Sequence, residues 1–233
     1  MMDGAQKYAN GAFPAGKIKN HPIDFSKFLV SLVDIKRAAQ VGGVYLNQAG
    51  KTGWKIVFNA DGTFTAAPCT GANLQSAPAP TCTPATTYPV PSNGAIYTDV
   101  DAIVSGSVNG RVTVGSGQNV VVAGNIAPVT AGDDVIGLVA NSDLWVAAYA
   151  PAQLTWNAAV LVETNTWHST GASHGAGSLM TFTGSAATAT GGSFGEYASR
   201  VYAYDEHLQF LPPPWFPSID DTYTTAFFRE VTP

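Results

Sequence analysis

The side chains in this sequence that could do chemistry are few, and their spacing limits what they can do. Asp133-Asp134 is the one adjacent acid pair in the β-rich middle of the chain, and Arg111 precedes it by roughly one structural repeat. A hydrolase needs two or three carboxylates on one face, and a lyase needs acids that hold calcium beside a basic Arg or Lys. One pair with one Arg falls short of both, so a surface ion pair or a turn-binding carboxylate is the expected role. His168 and His174 stand six positions apart in a Gly- and Ser-rich stretch with no third ligand, which argues against a metal site. His207 follows Asp205-Glu206, which could orient its imidazole, yet no Ser or Cys nucleophile motif accompanies it. No phosphate-binding loop or dinucleotide fingerprint occurs, and Gly115-Ser116-Gly117 and Gly191-Gly192 read as turns. No catalytic residue, metal or cofactor is expected.

Three other groups bear on binding. Trp145, Trp156 and Trp167 recur at eleven-residue steps, as an exposed aromatic stripe for sugar or partner contact would, although each alone also suits core packing. Lys17, Lys19, Lys27, Lys36, Arg37, Lys51 and Lys55, together with Lys7, make the first 55 residues basic, about +5, while the remainder carries Arg111, Arg200 and Arg229 against thirteen acids. DNA or another polyanion would therefore be held only by the N-terminal part and repelled elsewhere. Cys69 and Cys82, the two cysteines, lie among turn-formers without the spacing of a zinc or redox motif, so they are expected to form a disulfide and to place the chain outside the cytoplasm.

Composition agrees with export. Charged residues make up 12% of the 233, well below the usual quarter, while 24 Gly and 15 Pro accompany abundant Ser, Thr, Asn and Ala. No stretch is long and apolar enough to span a membrane and no signal peptide opens the chain, so any targeting segment is expected to have been removed.

The elements that must position these residues can be read in order. Residues 1–22 look irregular. Apolar positions Phe25, Phe28, Leu29, Leu32, Val33 and Ile35 predict a helix over 23–40, capped by Asp24 and stopped by Gly42-Gly43. Strands follow at Val44–Asn47 and Trp54–Asn59, and Asn59-Ala60-Asp61-Gly62 signals a hairpin into Thr63-Phe64-Thr65. Residues 66–93, rich in Pro and Thr, read as an exposed connector stapled at its base. Helix, hairpin and connector together form an N-terminal cap over 1–93.

Within a second region, 94–217, short β-branched runs recur over 95–190, with corners at Gly106, Gly124, Asn141, Thr164 and Gly184, spaced by 18, 17, 23 and 20 residues. That interval suits one coil of a parallel β-solenoid of about five rungs: a single coil cannot bury its inward side chains, but coils stacked about 4.8 Å apart bury a continuous column. Ile103, Val112, Val114, Val120, Val122, Ile136, Leu138, Val146, Val160 and Val162 are the expected inward set. An antiparallel β-sandwich is the alternative. The Tyr202–Pro217 segment, with its Pro212-Pro213-Pro214 run, is expected to close the open end, leaving 218–233 as a tail.

The run "NGAIYTDVDAIVSGSVNGRVTVGSGQNVVVAGNI" followed by "DDVIGLVANSDLWV", "NAAVLVE" and "YAYDEHLQFLPPPWFP" resembles the C-terminal β-solenoid region of bacterial pilus-assembly (PilX-like) proteins, and is similar to the large minor pilin of thermophile competence type IV pili. The likeness covers about 94–217 and is sharpest at Gly110-Arg111-Val112-Thr113-Val114 and at the Leu-Pro-Pro-Pro ending. It implies a non-enzymatic extracellular head domain, structural or adhesive, displayed on a pilus and attached to the membrane through an N-terminal helix absent from this chain. Its partners would be other pilus subunits or surface proteins, with a glycan or DNA as further ligands. DNA capture, as in the competence relatives, is the first alternative function, and a polysaccharide-active β-helix enzyme the second.

Overall fold

A computed structural model describes residues 31–192 and 196–217. The chain is mainly β. Helix α1 (Leu32–Val41) is followed by β1 (Val44–Leu46), β2 (Gly53–Phe58), β3 (Thr63–Thr70), β4 (Thr81–Cys82), β5 (Thr86–Pro89), β6 (Ala95–Thr98), β7 (Asp101–Val108) and β8 (Arg111–Ser116). There follow β9 (Val120–Pro128), β10 (Val135–Ala140), β11 (Leu144–Val146), β12 (Gln153–Val162), β13 (Trp167–Ser169), β14 (Leu179–Thr188), β15 (Ser199–Ala203) and a 3-10 turn at Glu206–Gln209. All fifteen strands belong to one curled, mixed sheet. Antiparallel pairing is confined to β2–β3, β3–β4 and β3–β5, and every other pair is parallel, so two facing antiparallel sheets do not form among the described residues.

Three parallel ladders run across the sheet, and side chains alternate inward and outward along each. In the first, Ile96, Val114, Leu138, Val160 and Ala186 align in one row, and Tyr97, Gly115, Val139, Leu161 and Ala187 in the next. In the second, Trp54, Ala102, Val120, Leu144 and Trp167 align beside Lys55, Ile103, Val121, Trp145 and His168. In the third, Phe58, Gly106, Ile126, Trp156, Phe182 and Tyr202 align. All ten residues expected to point inward are buried, nine of them on inward rows and Ile103 on the outward row of the second ladder beside Lys55. Fully burying a Val, Leu or Ile side chain contributes about 1.5–3 kcal/mol, so this core is the main support of the fold.

Outside the first ladder, α1 lays Leu32, Ile35, Ala38 and Ala39 on Ala95, Tyr97, Val139 and Leu161 as a second apolar cluster. Its first turn is closed by Asp34, whose Oδ2 accepts from Ser31 N and Oγ at 3.0 and 2.8 Å. Its end is set by the amides of Gly42 and Gly43, which both donate to Ala38 O. Gly43 is needed there because a Cβ would lie 2.2 Å from Ala95 O, forbidding the close approach of helix and β6. The predicted helix over 23–40 thus holds in its second half, and its first half lies outside the described residues, as do 1–22 and 218–233.

Three expectations are corrected. The corners do not share one register: Gly106 pairs with Ile126, because Ala123, Gly124 and Asn125 bulge out between the Val104–Val122 and Gly106–Ile126 pairs. Asn141 belongs to a different stack of corners, where its carbonyl accepts from Thr164 N at 3.1 Å and Thr164 Oγ1 at 2.6 Å. Even spacing thus mixed corners from different edges of the sheet. The hairpin expected in a separate cap is part of the sheet, since β2 pairs with β7 along its whole length. The loop between the cysteines is also no free connector. It folds back so that Leu74 is 1% exposed, Leu74 O accepts from Tyr149 Oη at 2.8 Å, and Gln75 O accepts from Ala148 N at 2.8 Å. Burial of Tyr149 pushes its hydroxyl up to about 12, so it stays a donor. Cys69 and Cys82 face each other on β3 and β4 and are disulfide-bonded, as expected.

Candidate functional site

The third ladder determines where a binding surface can form. Its row is roofed rung by rung: Trp156 is wholly buried, with its ring centroid 4.4 Å from that of Phe182, and Phe182 is 4% exposed. The next member, Tyr202 on β15, is 49% exposed, and all five residues of β15 face solvent. No described strand follows β15, and Gly184–Thr188 on β14 extends beyond it with no strand partner on that side among the described residues. Among the described residues the sheet therefore ends in an aromatic groove of about 630 Å³, walled by Trp167, Phe182, Tyr202 and Tyr204 over a floor of Gly184, Ser185, Ala186 and Gly192. Trp167 meets Phe182 edge-on at 6.1 Å and Tyr202 at 6.3 Å, which fixes its ring. Small residues below and rigid rings around suit the apolar face of a sugar or an aromatic or aliphatic anchor of a protein partner. Burial raises the Tyr202 hydroxyl above its ordinary range, with Arg200 opposing, so it remains a hydrogen-bond donor at neutral pH.

The three tryptophans do not form one exposed stripe. Trp156 lies in the core, Trp167 lines the groove, and Trp145 sits on the outward row of the second ladder, stacked 4.5 Å from His168. Period eleven mixed an inward with an outward row. His168 Nε2 is 2.9 Å from Asp143 Oδ1, so this imidazole is oriented by a carboxylate and covered by an indole. Among the described residues no three metal-ligating side chains converge.

Of the basic residues, Lys17, Lys19 and Lys27 lie outside the described residues. Lys36 bonds Asp99 at 2.6 Å and lies over the rings of Tyr45 and Tyr97, and the ion pair raises its ammonium pKa. Arg37 is exposed beside Trp215, and Lys51 is half-buried at a turn. Lys55 projects from β2 toward Ala79 and Pro80 of the disulfide loop, whereas α1 packs on β1, β6 and β8. The structure does not bring the four described cations together into one patch.

Asp134 is a turn-binding carboxylate: it accepts from Gly110 N and Thr130 N, both at 2.6 Å. Arg111 donates to Pro212 O at 2.7 Å. His207 is held by Asp205, which accepts from its backbone amide at 3.0 Å and lies 2.8 Å from Nδ1. The proline-rich segment does not cover the open end. Arg111 and the Thr113 hydroxyl anchor it along the outside of β8, and Phe216 joins the α1 cluster, so the last rung is left uncovered by it.

Sequence reasoning placed Tyr202 and Tyr204 in the closing segment and named neither them nor Phe182 as binding residues. The available signal was the recurrence of an aromatic at 156, 182 and 202, obscured by its uneven spacing. Comparison with protein-family models, with curated proteins and with solved structures gives no match to this chain.

Proposed function

We propose that the curled sheet is the wall of a parallel β-solenoid and that the chain is a non-enzymatic, extracytoplasmic head of the pilus type, which binds a surface partner through the aromatic groove at its last rung. The observation that carries this reading is the column Ile126–Trp156–Phe182–Tyr202, packed like a core for three members and, among the described residues, open at the fourth. The Cys69–Cys82 disulfide supports an oxidising compartment. Asp134 and Arg111 are both spent on backbone groups, which favours a binding module over a glycan-cleaving enzyme. The engagement of Lys36 by Asp99 gives DNA capture no added support.

The test has two arms. In cells of the source organism, alkylation of intact cells should leave Cys69 and Cys82 unmodified as a disulfide, and the chain should be accessible to external protease and shear off with filaments. Recovery in the cytosol with both thiols alkylated contradicts the location. For the groove, Trp167→Ala with Tyr202→Ala should abolish adhesion of the purified head to its surface without a large change in Tm; unchanged adhesion contradicts the site.

A further inference from the structure

A second concave site lies between α1 and the proline-rich strap, and we infer that it binds an acidic saccharide, with Trp215 stacking on the sugar ring and Arg37 pairing with a uronate carboxylate. The starting point is backbone geometry. Trp215 has φ 59°, and among the described residues it is the single non-glycine with positive φ. A bulky residue in the left-handed region costs about 1–3 kcal/mol, and glycine would avoid the cost. Packing does not explain the choice, since the Trp215 side chain is 41% exposed while Pro213 and Pro217 on either side are buried.

What holds this conformation is a set of bonds along the strap. Arg111 Nη2 donates to Pro212 O, Thr113 Oγ1 donates to Pro214 O, and Trp215 Nε1 donates to Asn93 O at 2.8 Å. Asn93 in turn donates through Nδ2 to Ala38 O on α1 at 2.9 Å. The indole is thereby fixed in plane over a cleft of about 400 Å³ bounded by Asp34, Arg37, Val41 and Asn93, within the size range of small-ligand sites.

The polar groups around the cleft define the ligand. Arg37 is exposed and its charge acts on Asp34 one turn earlier, but no carboxylate lies within ion-pair distance of it among the described residues, so its guanidinium can form two parallel bonds to a ligand carboxylate. Asp34 spends Oδ2 on Ser31, and nothing among the described residues donates to Oδ1, which can accept from a hydroxyl. Val41, 85% exposed, supplies an apolar shelf. A ring with one apolar face, several hydroxyls and one carboxylate matches this set, and the α1 side of the site, with Arg37, belongs to the basic first 55 residues of an otherwise acidic chain. It shares no residue with the groove at β15, and it stands whether or not the chain is a pilus head.

The experiment is isothermal titration of the full chain with trigalacturonate and with its methyl ester, which removes the charge and keeps the ring. Wild-type protein should bind the acid with a Kd below about 1 mM and the ester about tenfold or more weakly. Trp215→Gly, which suits the positive φ, should keep or raise Tm and lose binding. Arg37→Gln should bring acid and ester to equal affinity. The inference is overturned if wild-type protein binds neither ligand or binds both equally, if Trp215→Gly binds as wild type does, or if Arg37→Gln keeps the preference for the acid.

Discussion

Gly115 lies directly beneath Ile35 of α1: a Cβ at Gly115 would sit 3.0 Å from Ile35 Cγ2 and 2.8 Å from Tyr97 Cδ2. The helix therefore rests on the outer row of the first ladder at a distance that a side chain on β8 would forbid. Gly115→Ala should push α1 off Val139 and Leu161 and cost about 1–3 kcal/mol, the usual penalty for overpacking. Urea unfolding of wild type and variant measures it, and equal midpoints would show that α1 is not held by this contact.

The disulfide ties β3 to β4 and closes the loop that carries Leu74 onto the sheet. The double variant Cys69→Ser, Cys82→Ser should lose about 2–4 kcal/mol by the loop-entropy account. A reducing agent should lower the unfolding midpoint of the wild type by a similar amount and leave the variant unchanged.

Trp156 and Tyr202 occupy the same row of the third ladder but differ in exposure, 0% against 49%. Trp156→Ala should cost about 3–5 kcal/mol through cavity formation, whereas Tyr202→Ala should cost under about 1 kcal/mol. Comparable losses at the two positions would mean that the last rung is covered.

Asp101 is buried, with Oδ1 accepting from Asn119 N at 3.1 Å and Asn119 Nδ2 at 2.9 Å. Desolvation raises its carboxyl pKa above the ordinary value despite those two bonds. A raised carboxyl favours the folded state while protonated, so its contribution is fully present below the unfolded pKa and is lost as pH rises through the folded one. Asp101→Asn mimics the protonated form. Its Tm relative to wild type should therefore climb as pH rises from about 4 toward neutrality. A constant difference across that range would show that Asp101 does not titrate abnormally.

Much of the interior was legible in the sequence because alternation of Val, Ile and Leu with small residues leaves one inward set, and nine of the ten expected residues fell where alternation put them, while Ile103 lies on the outward row with Lys55 and Trp145 and is buried there. The hairpin at Asn59–Thr63 followed from Asp61-Gly62, where Gly62 takes φ 79°. The register of the corners was not legible, since the bulge at 123–125 and loops of unequal length break any fixed interval. Leu74 and the strap were misplaced for another reason: both are short apolar anchors in Pro-rich stretches, and only the surface they meet reveals that they pack. The groove shows the same limit. Tyr202 looks like any strand tyrosine until the row it extends is seen to have no further strand among the described residues, and nothing in local sequence marks Trp215 as left-handed.

Amide hydrogen exchange of the full chain, read strand by strand, tests the open-ended column most directly. Exchange should be slowest in β8, β10 and β12, which are paired on both sides, and fast in β15 and in the 184–188 half of β14. Protection at 199–203 equal to that at 135–140 would contradict an open last rung, and with it the groove on which the proposed function rests.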